Sequence, residues 1–456
     1  MTPLVALGGL WLVGVFLLAL DGRKAWVTGL AGVALGIVAA AHIGWLVISG
    51  VGGEPLRLTT GDWPAGVGIS LALTPLSVAF AALCAVVLAA VMLHETLAKV
   101  RSRLFPALLV LLASGLHGAF FTRDLFNFYV FFELCMVASF ALAAYGFGRA
   151  EIRGSFVYIA LNLLGSVIFL LGVTITYHLT GTLDFEQIAR RAGRGATDDL
   201  LLPAALLFVA LSLKLGLFPF HGWVPLLYSH ARAGVAAALT GALTNIGAYG
   251  LLRLGYSVAP AARREADLLL LTVGALGALY GALLALGRRR PGEVAAYLSV
   301  VHAGYLVLAL GLGGAYGALA LVLTVLSGSL DKAIMFLALD AAGWARAVAG
   351  FIAAISLSGL PISAGFLSKV LLFRAGLEAP ASGAVTAALL LSATLVLAAA
   401  FRFWSLITQP DQEPSTSHTA GTAAIGLAAL VLGIGLFGEP VYSVGWELSQ
   451  KLVGQP

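Results

Sequence analysis

Long apolar runs follow one another along this chain, and lysines sit inside three of them. A run of about 18 or more apolar residues reads as a membrane-spanning helix, because the bilayer core holds no water to satisfy an open backbone. About fourteen such runs are present. They lie at roughly 3–20, 25–50, 69–93, 104–121, 125–147, 155–178, 200–220, 234–256, 268–287, 294–312, 315–339, 350–373, 383–407 and 420–437. At about 20 residues each they use about 280 residues, which leaves only short connections. The expected fold is an all-α polytopic membrane protein. The first run has no basic start and no small-residue cleavage pattern before Asp21, so it reads as a span and not as a signal peptide.

Composition closes off other classes. Of the 456 residues, 60% are hydrophobic and 10% are charged, against about 25% charged in soluble domains. Neither a soluble enzyme nor a disordered chain has this make-up. A net charge of +5 with no long basic run sets nucleic-acid binding aside. Cys84 and Cys135 both sit in apolar runs and read as small buried residues. There is no glycine-rich phosphate cradle, metal-ligand cluster or nucleophile elbow, so neither a metal nor a cofactor is expected. The chain reads as part of a transporter and not as an enzyme.

Basic loops set the orientation. With the N-terminus outside, the inner loops carry thirteen basic residues, among them Arg23, Lys24, Lys99, Arg101, Arg103, Arg149, Arg153, Arg232, Arg288–Arg290, Arg346 and Arg402. The outer segments carry nine, offset by Asp184, Glu186, Asp198, Asp199, Glu265 and Asp267. Both termini are expected outside.

Lys214, Lys332 and Lys369 fall inside spans, while the arginines are nearly all in loops. A lysine at the bilayer centre costs about 3 kcal/mol on insertion scales, so retaining three points to a function. Lysine, unlike arginine, can lose its proton when buried. Glu133 and Asp331 are the deeply placed acids. Embedded lysines with a carboxylate are the composition of a proton path. Two of the lysines share a span with a helix breaker. Lys214 precedes Pro219, which cannot donate to the carbonyl of Leu215, and Lys369 follows Gly359 and Pro361. Breaks at corresponding places in two halves point to an ion site between repeats. Two inverted five-span repeats are expected, at 104–256 and 268–407, flanked by 1–103 and by 408–456. The last segment, 439–456, has an amphipathic look suited to a partner or to the membrane surface.

Three segments carry a resemblance. Arg123-Asp124-Leu125-Phe126-Asn127-Phe128-Tyr129-Val130-Phe131-Phe132-Glu133 resembles the fifth-span signature of the antiporter-like subunits of respiratory complex I and of Mrp cation/proton antiporters. Lys214 through Pro225 is similar to their seventh span, and Leu360 through Lys369 to their twelfth. Gly61-Asp62-Trp63-Pro64, Gly181-Thr182-Leu183-Asp184 and Phe437-Gly438-Glu439-Pro440-Val441-Tyr442 point to the D-subunit branch of the Mrp complexes. The resemblance runs over most of the chain.

It implies a proton-translocating subunit of a hetero-oligomeric Mrp-type antiporter in a prokaryotic plasma membrane. Its partners would be other membrane subunits, H⁺ and a monovalent cation, with Na⁺ the expected one. Glu133 is then the key carboxylate and Lys214 its partner, while Lys332 and Lys369 continue a midplane axis. His302 matches the tenth-span position that often carries histidine. The chain departs from the family at Asn245, where a lysine is usual, and at Gly328, where a histidine is usual. It departs again at Pro291-Gly292-Glu293, where the usual lysine near the start of the tenth span is replaced. Asn245 can hold water but cannot change protonation, and Asp331 beside Lys332 is an unusual acid that could compensate. Two alternatives stay open. One is a proton-pumping subunit of a complex I-like NADH dehydrogenase or membrane-bound hydrogenase. The other is a scaffold that has lost the wire.

Overall fold

The computed structural model describes residues 56–59, 68–98, 104–145, 148–192, 200–379, 382–409 and 421–454. The first two expected spans lie outside the described residues, as do Gly61-Asp62-Trp63-Pro64 and the basic residues Arg23, Lys24, Lys99, Arg101, Arg103 and Arg194.

Nearly everything described is helical. The exception is an antiparallel ribbon of β1 (Leu56–Thr59) and β2 (Ser70–Leu73), in which Leu56 pairs with Leu73 and Thr59 with Ser70. Helix α1 (Pro75–Leu97) starts sharply because Thr74 and Ser77 form a reciprocal capping box and Pro75 needs no N–H partner. α2 (Leu104–Phe121) leads to α3 (Leu125–Ala143), whose cap is Asp124 accepting from the Asn127 N–H at 2.7 Å. α4 (Arg149–Thr180) ends on left-handed Gly181. A short surface helix, α5 (Phe185–Ala192), precedes α6 (Leu201–Leu215).

Helix α6 stops at Gly216 (φ 68°), and the span resumes as α7 (Trp223–Tyr228). The missing donor at Pro219 and the left-handed glycine explain the break. Trp223 Nε1 donates at 3.0 Å to the carbonyl of Leu213, which also receives the Gly216 N–H at 3.2 Å. α8 (Ala233–Val258) contains two π-helical turns, Leu239–Leu243 and Leu254–Val258. Such turns cluster at functional sites, and the first ends immediately before Thr244 and Asn245. After α9 (Pro260–Glu265) come α10 (Asp267–Gly287) and α11 (Pro291–Leu312), whose backbones touch where Gly274 faces Gly304. A Cβ on Gly274 would meet Leu308 N at 2.5 Å, so only glycine fits there.

α12 (Gly314–Asp340) is unbroken and is buried almost throughout its length. The next expected span is two helices, α13 (Gly343–Ser358) and α14 (Ala364–Glu378), separated at Gly359 (φ 73°). α15 (Ser382–Ile407) is followed by α16 (Gly421–Leu436) and α17 (Gly438–Val453), bent by 77°. Among the described residues ten helices are long and apolar enough to cross a membrane, and eleven if that bent pair is one span.

Helix α17 lies in the segment expected to have an amphipathic character suited to a partner or the membrane surface. It packs along α12, with the Trp446 and Tyr316 rings 4.9 Å apart and Gly445 against Leu319. Its Gly445–Leu448–Ser449–Leu452 stripe is the buried face. The amphipathic look of 439–456 did not name the helix that covers this face.

Candidate functional site

Glu133 lies nine residues beyond the cap of α3, about 13 Å into the bundle at 1.5 Å per residue. Its Oε1 is buried and has no hydrogen-bond partner. Lys214, 5% exposed, sits in the last turn of α6 just before the break. Its Nζ is within electrostatic reach of Glu133. The ammonium donates instead to the backbone carbonyl of Asn162 on α4, at 3.3 Å. It also lies 4.3 Å from the centroid of the Phe132 ring. Asn162 is fully buried, and its own Oδ1 is unpartnered.

The second cluster gathers on α12. Lys332 Nζ donates to Thr244 Oγ1 on α8 at 3.1 Å. One residue on, Asn245 accepts from Ser329 Oγ at 2.8 Å and donates to the Gly241 carbonyl at 3.0 Å. Its Nδ2 also lies 3.5 Å from Cys84 Sγ. Asn245 thus joins α8 to α12 and α1.

Asp331, 1% exposed, accepts from Ser356 Oγ of α13 at 2.9 Å through Oδ2, while Oδ1 has no partner. Ser356 Oγ also receives the Gly365 N–H at 3.1 Å, which ties the start of α14 to the end of α13 across the break. Lys369 reaches back over that break, and its stem occupies the space beside Gly359 where a Cβ would stand. Its Nζ is unpartnered and lies 5.0 Å from the Tyr305 ring centroid. His302 Nε2 donates to the Thr324 carbonyl at 2.7 Å. The imidazole, on α11, fills the place of a Cβ on Gly328 of α12.

Asp331, Lys369, His302, Thr324, Ser327 and Ser356 line one cavity of about 30 Å³. No hydrogen bond among the described residues connects this cluster directly with Glu133 and Lys214. Leu215 and Leu211 of α6 pack against Gly247 of α8.

Sequence reasoning missed Asn162, Thr244, Ser329, Ser356 and Thr324. The only signal was a polar residue inside an apolar span. That signal does not discriminate, because Thr176, Thr240 and Ser358 carry it too and merely bond the carbonyl four residues back. Of the other embedded histidines, His117 faces the Ala81 carbonyl at 3.3 Å and His221 packs against Tyr280.

Outside the spans, Glu186 of α5 accepts from Arg57 of β1 at 2.9 and 3.2 Å and from Arg123 at 2.9 Å. Burial raises the Glu186 carboxyl, but the Arg57 hydrogen bonds and the Arg123 and Arg57 charges outweigh it. The group is held below the usual carboxylate range.

Residues 122–348 match the sequence profile of the membrane proteins described as NADH:quinone oxidoreductase/Mrp antiporter, TM. The NADH-quinone oxidoreductase subunit N of Desulforudis audaxviator (strain MP104C) is 32% identical over 449 residues, covering 87% of this chain and 89% of that protein. The D subunit of the Na(+)/H(+) antiporter of Alkalihalophilus pseudofirmus (strain ATCC BAA-2126 / JCM 17055 / OF4) is 27% identical, covering 87% and 86%. In three dimensions the chain is similar to one in the Mrp complex from Dietzia sp. DQ12-45-1b, with a TM-score of 0.89, 24% identity, and coverage of 100% and 98%.

Proposed function

Because this chain belongs to the NADH:quinone oxidoreductase/Mrp antiporter membrane family, we propose that it is a proton-translocating subunit of a Mrp-type monovalent cation/H⁺ antiporter. The observation that carries the reading is the state of the embedded charges. Among the described residues, Lys214, Lys332 and Lys369 are buried with no carboxylate within ion-pair distance, and each lies near an acid that keeps an unpartnered oxygen. Groups held near each other but not locked can exchange protons as a coupled set.

Protons pass along Glu133, Lys214, Lys332 and Lys369. Asn245, His302 and Asp331 support the middle and outer parts. The carboxylate takes up H⁺ when the lysine charge withdraws and releases it when the charge returns. Water bridges the apolar stretch between the two clusters. The breaks at Gly216–Pro219 and Gly359–Pro361 support two inverted repeats, 104–256 and 268–407, each presenting a lysine beside its broken helix. Other membrane subunits complete the antiporter, both termini face outside, and Na⁺ is the proposed cation.

A second reading is favoured by the subunit N relative, which is 32% identical. In it the same axis serves a redox-driven pump and added cation has no role. One experiment separates the two. The chain is expressed with its genomic neighbours, and cation-driven collapse of a pH gradient is followed in everted vesicles. Antiport requires Na⁺, but not choline, to collapse the gradient in the wild type. An assembled complex indifferent to every cation rejects antiport.

A further inference from the structure

We propose that Arg253 is a cation-excluding barrier. Its guanidinium closes the gap that leads from one end of the bundle towards Lys214 and keeps cations outside, protons first, from reaching Glu133. The role rests on the reading of Glu133 and Lys214 as a proton path.

Placement is the first argument. Arg253 lies five residues before the end of α8, yet it is 4% exposed and does not snorkel to the surface. Its Nε donates to Tyr249 Oη at 3.0 Å and its Nη2 to Thr74 Oγ1 at 3.2 Å. Thr74 caps the start of α1, and Tyr249 Oη donates in turn to the carbonyl of Phe120, near the end of α2, at 2.7 Å. The guanidinium therefore stands where α1, α2 and α8 converge, at the outer end in the orientation proposed above. A cavity of about 20 Å³ adjoins it, lined by Leu125 and Phe128 of α3, Phe169 of α4, and Leu207 and Leu211 of α6. Arg253 is the only polar residue among the described residues that line it. A gap this small and otherwise apolar stays dry. The Phe169 ring that lines it lies 5.5 Å from that of Phe132, and Lys214 Nζ sits 4.3 Å from the Phe132 centroid. The gap thus lies between Arg253 and the first cluster.

Charge is the second argument. Both acceptors of Arg253 are neutral, so they satisfy its donors without cancelling its charge. Among the described residues no carboxylate lies within ion-pair distance of it. The acids at this end are engaged elsewhere. Glu186 accepts from Arg57 and Arg123, and Asp124 and Asp184 accept from the N–H groups of Asn127 and Gln187. Arg123, 8% exposed, lies within electrostatic reach of Arg253 and adds to the field. The N-termini of α1 and α3, the positive ends of their dipoles, face the same end. Arginine keeps its proton at any working pH, so it repels cations without relaying a proton as an embedded lysine can.

The test follows passive proton leak, with no driving cation, in right-side-out vesicles that hold the assembled complex with the full chain, after the outer side is acidified. Arg253→Gln removes the charge and keeps a hydrogen-bonding side chain. Thr74→Asp keeps the guanidinium and the helix cap but places a carboxylate where the Thr74 hydroxyl meets Arg253. Thr74→Asn is its neutral control. Wild type and Thr74→Asn should be tight. Arg253→Gln and Thr74→Asp should each leak about tenfold faster, the effect of one charge about 10 Å away at an effective dielectric constant of about 20. Adding Glu133→Gln should abolish both leaks, because they pass through Glu133. Wild-type leak in either variant, once assembled, overturns the proposal. So does a leak that survives Glu133→Gln, which marks a damaged bundle, or a Thr74→Asn leak equal to that of Thr74→Asp. Loss of cation-driven flux in Glu133→Gln with tight Arg253 and Thr74 variants rejects the barrier and keeps the path. Undiminished flux in Glu133→Gln alone rejects the path, and the barrier with it.

Discussion

Lys214 Nζ donates to the backbone carbonyl of Asn162 at 3.3 Å and makes no ion pair with Glu133, although the two charges lie within reach of each other. A closed ion pair in a low-dielectric interior is hard to open, since separating it leaves an uncompensated buried charge. A carbonyl holds the ammonium without adding a counter-charge. The acid therefore keeps a free oxygen, and the pair stays available for proton exchange.

Glu133→Gln keeps the shape of the side chain and breaks no hydrogen bond at Oε1. Because no direct ion pair is lost, the complex should still assemble and its Tm should change little. Cation-driven proton flux should disappear. Parallel measurement of Tm and of gradient collapse checks this. A fall in both would mean a structural role for the carboxylate, and undiminished flux would place the path elsewhere.

His302 occupies the slot beside Gly328. Gly328→Ala puts a methyl group where the imidazole stands, and overpacking of this kind costs about 1–3 kcal/mol. In the His302→Ala background the same change should cost much less, giving a coupling energy above about 0.5 kcal/mol in a double-mutant cycle. Additive effects in thermal unfolding would show that the two residues do not share the space.

At the break between α13 and α14, Ile362 has φ 69°, a left-handed conformation that a β-branched residue adopts only under strain. Strain of this kind costs about 1–3 kcal/mol. Its side chain is 54% exposed, so little burial is lost on removing it. Ile362→Gly should raise Tm, the relieved strain exceeding the roughly 0.5–1 kcal/mol entropic cost of glycine. A lower Tm would mean that packing of the Ile362 side chain outweighs the strain.

Glu186 links the ribbon to α5 and Arg123 by accepting from Arg57 and Arg123. Its folded pKa is depressed, so its stabilising contribution is fully present above the ordinary carboxylate range. That contribution is lost as pH falls through the lowered folded value. Glu186→Gln should therefore lower Tm near neutrality and flatten the acid side of the Tm–pH curve. Identical acid limbs for the two proteins would remove Glu186 from the account. The effect is small and salt-sensitive because Arg57 is largely exposed.

Much of the candidate site was legible one residue at a time. Lys214, Lys332, Lys369, Glu133 and Asp331 stand out because an embedded charge has a cost that solubility alone does not explain. Both breaks were readable from Gly and Pro, since their backbone constraints are local. The partners were not readable. Ser329 reaching Asn245 looks in sequence like Thr240, which bonds only its own helix. Asp331 beside Lys332 was visible, but its hydroxyl partner Ser356 lies 25 residues away on another helix.

Residence in the membrane, the approximate spans and the residues that break or charge them are properties of the chain read linearly. Each follows from local physics: the length of an apolar run, the chemistry of a backbone and the cost of a buried ion. Which helices meet is a property of the folded molecule. Helical periodicity states which side chains share a face, but any apolar face can pack against any other, so it names no neighbour. Close approaches such as Gly274 on Gly304 and the imidazole of His302 over Gly328 settle that choice. They bring Asp331, Thr324 and Lys369 to one small cavity and leave Glu133 and Lys214 in another place.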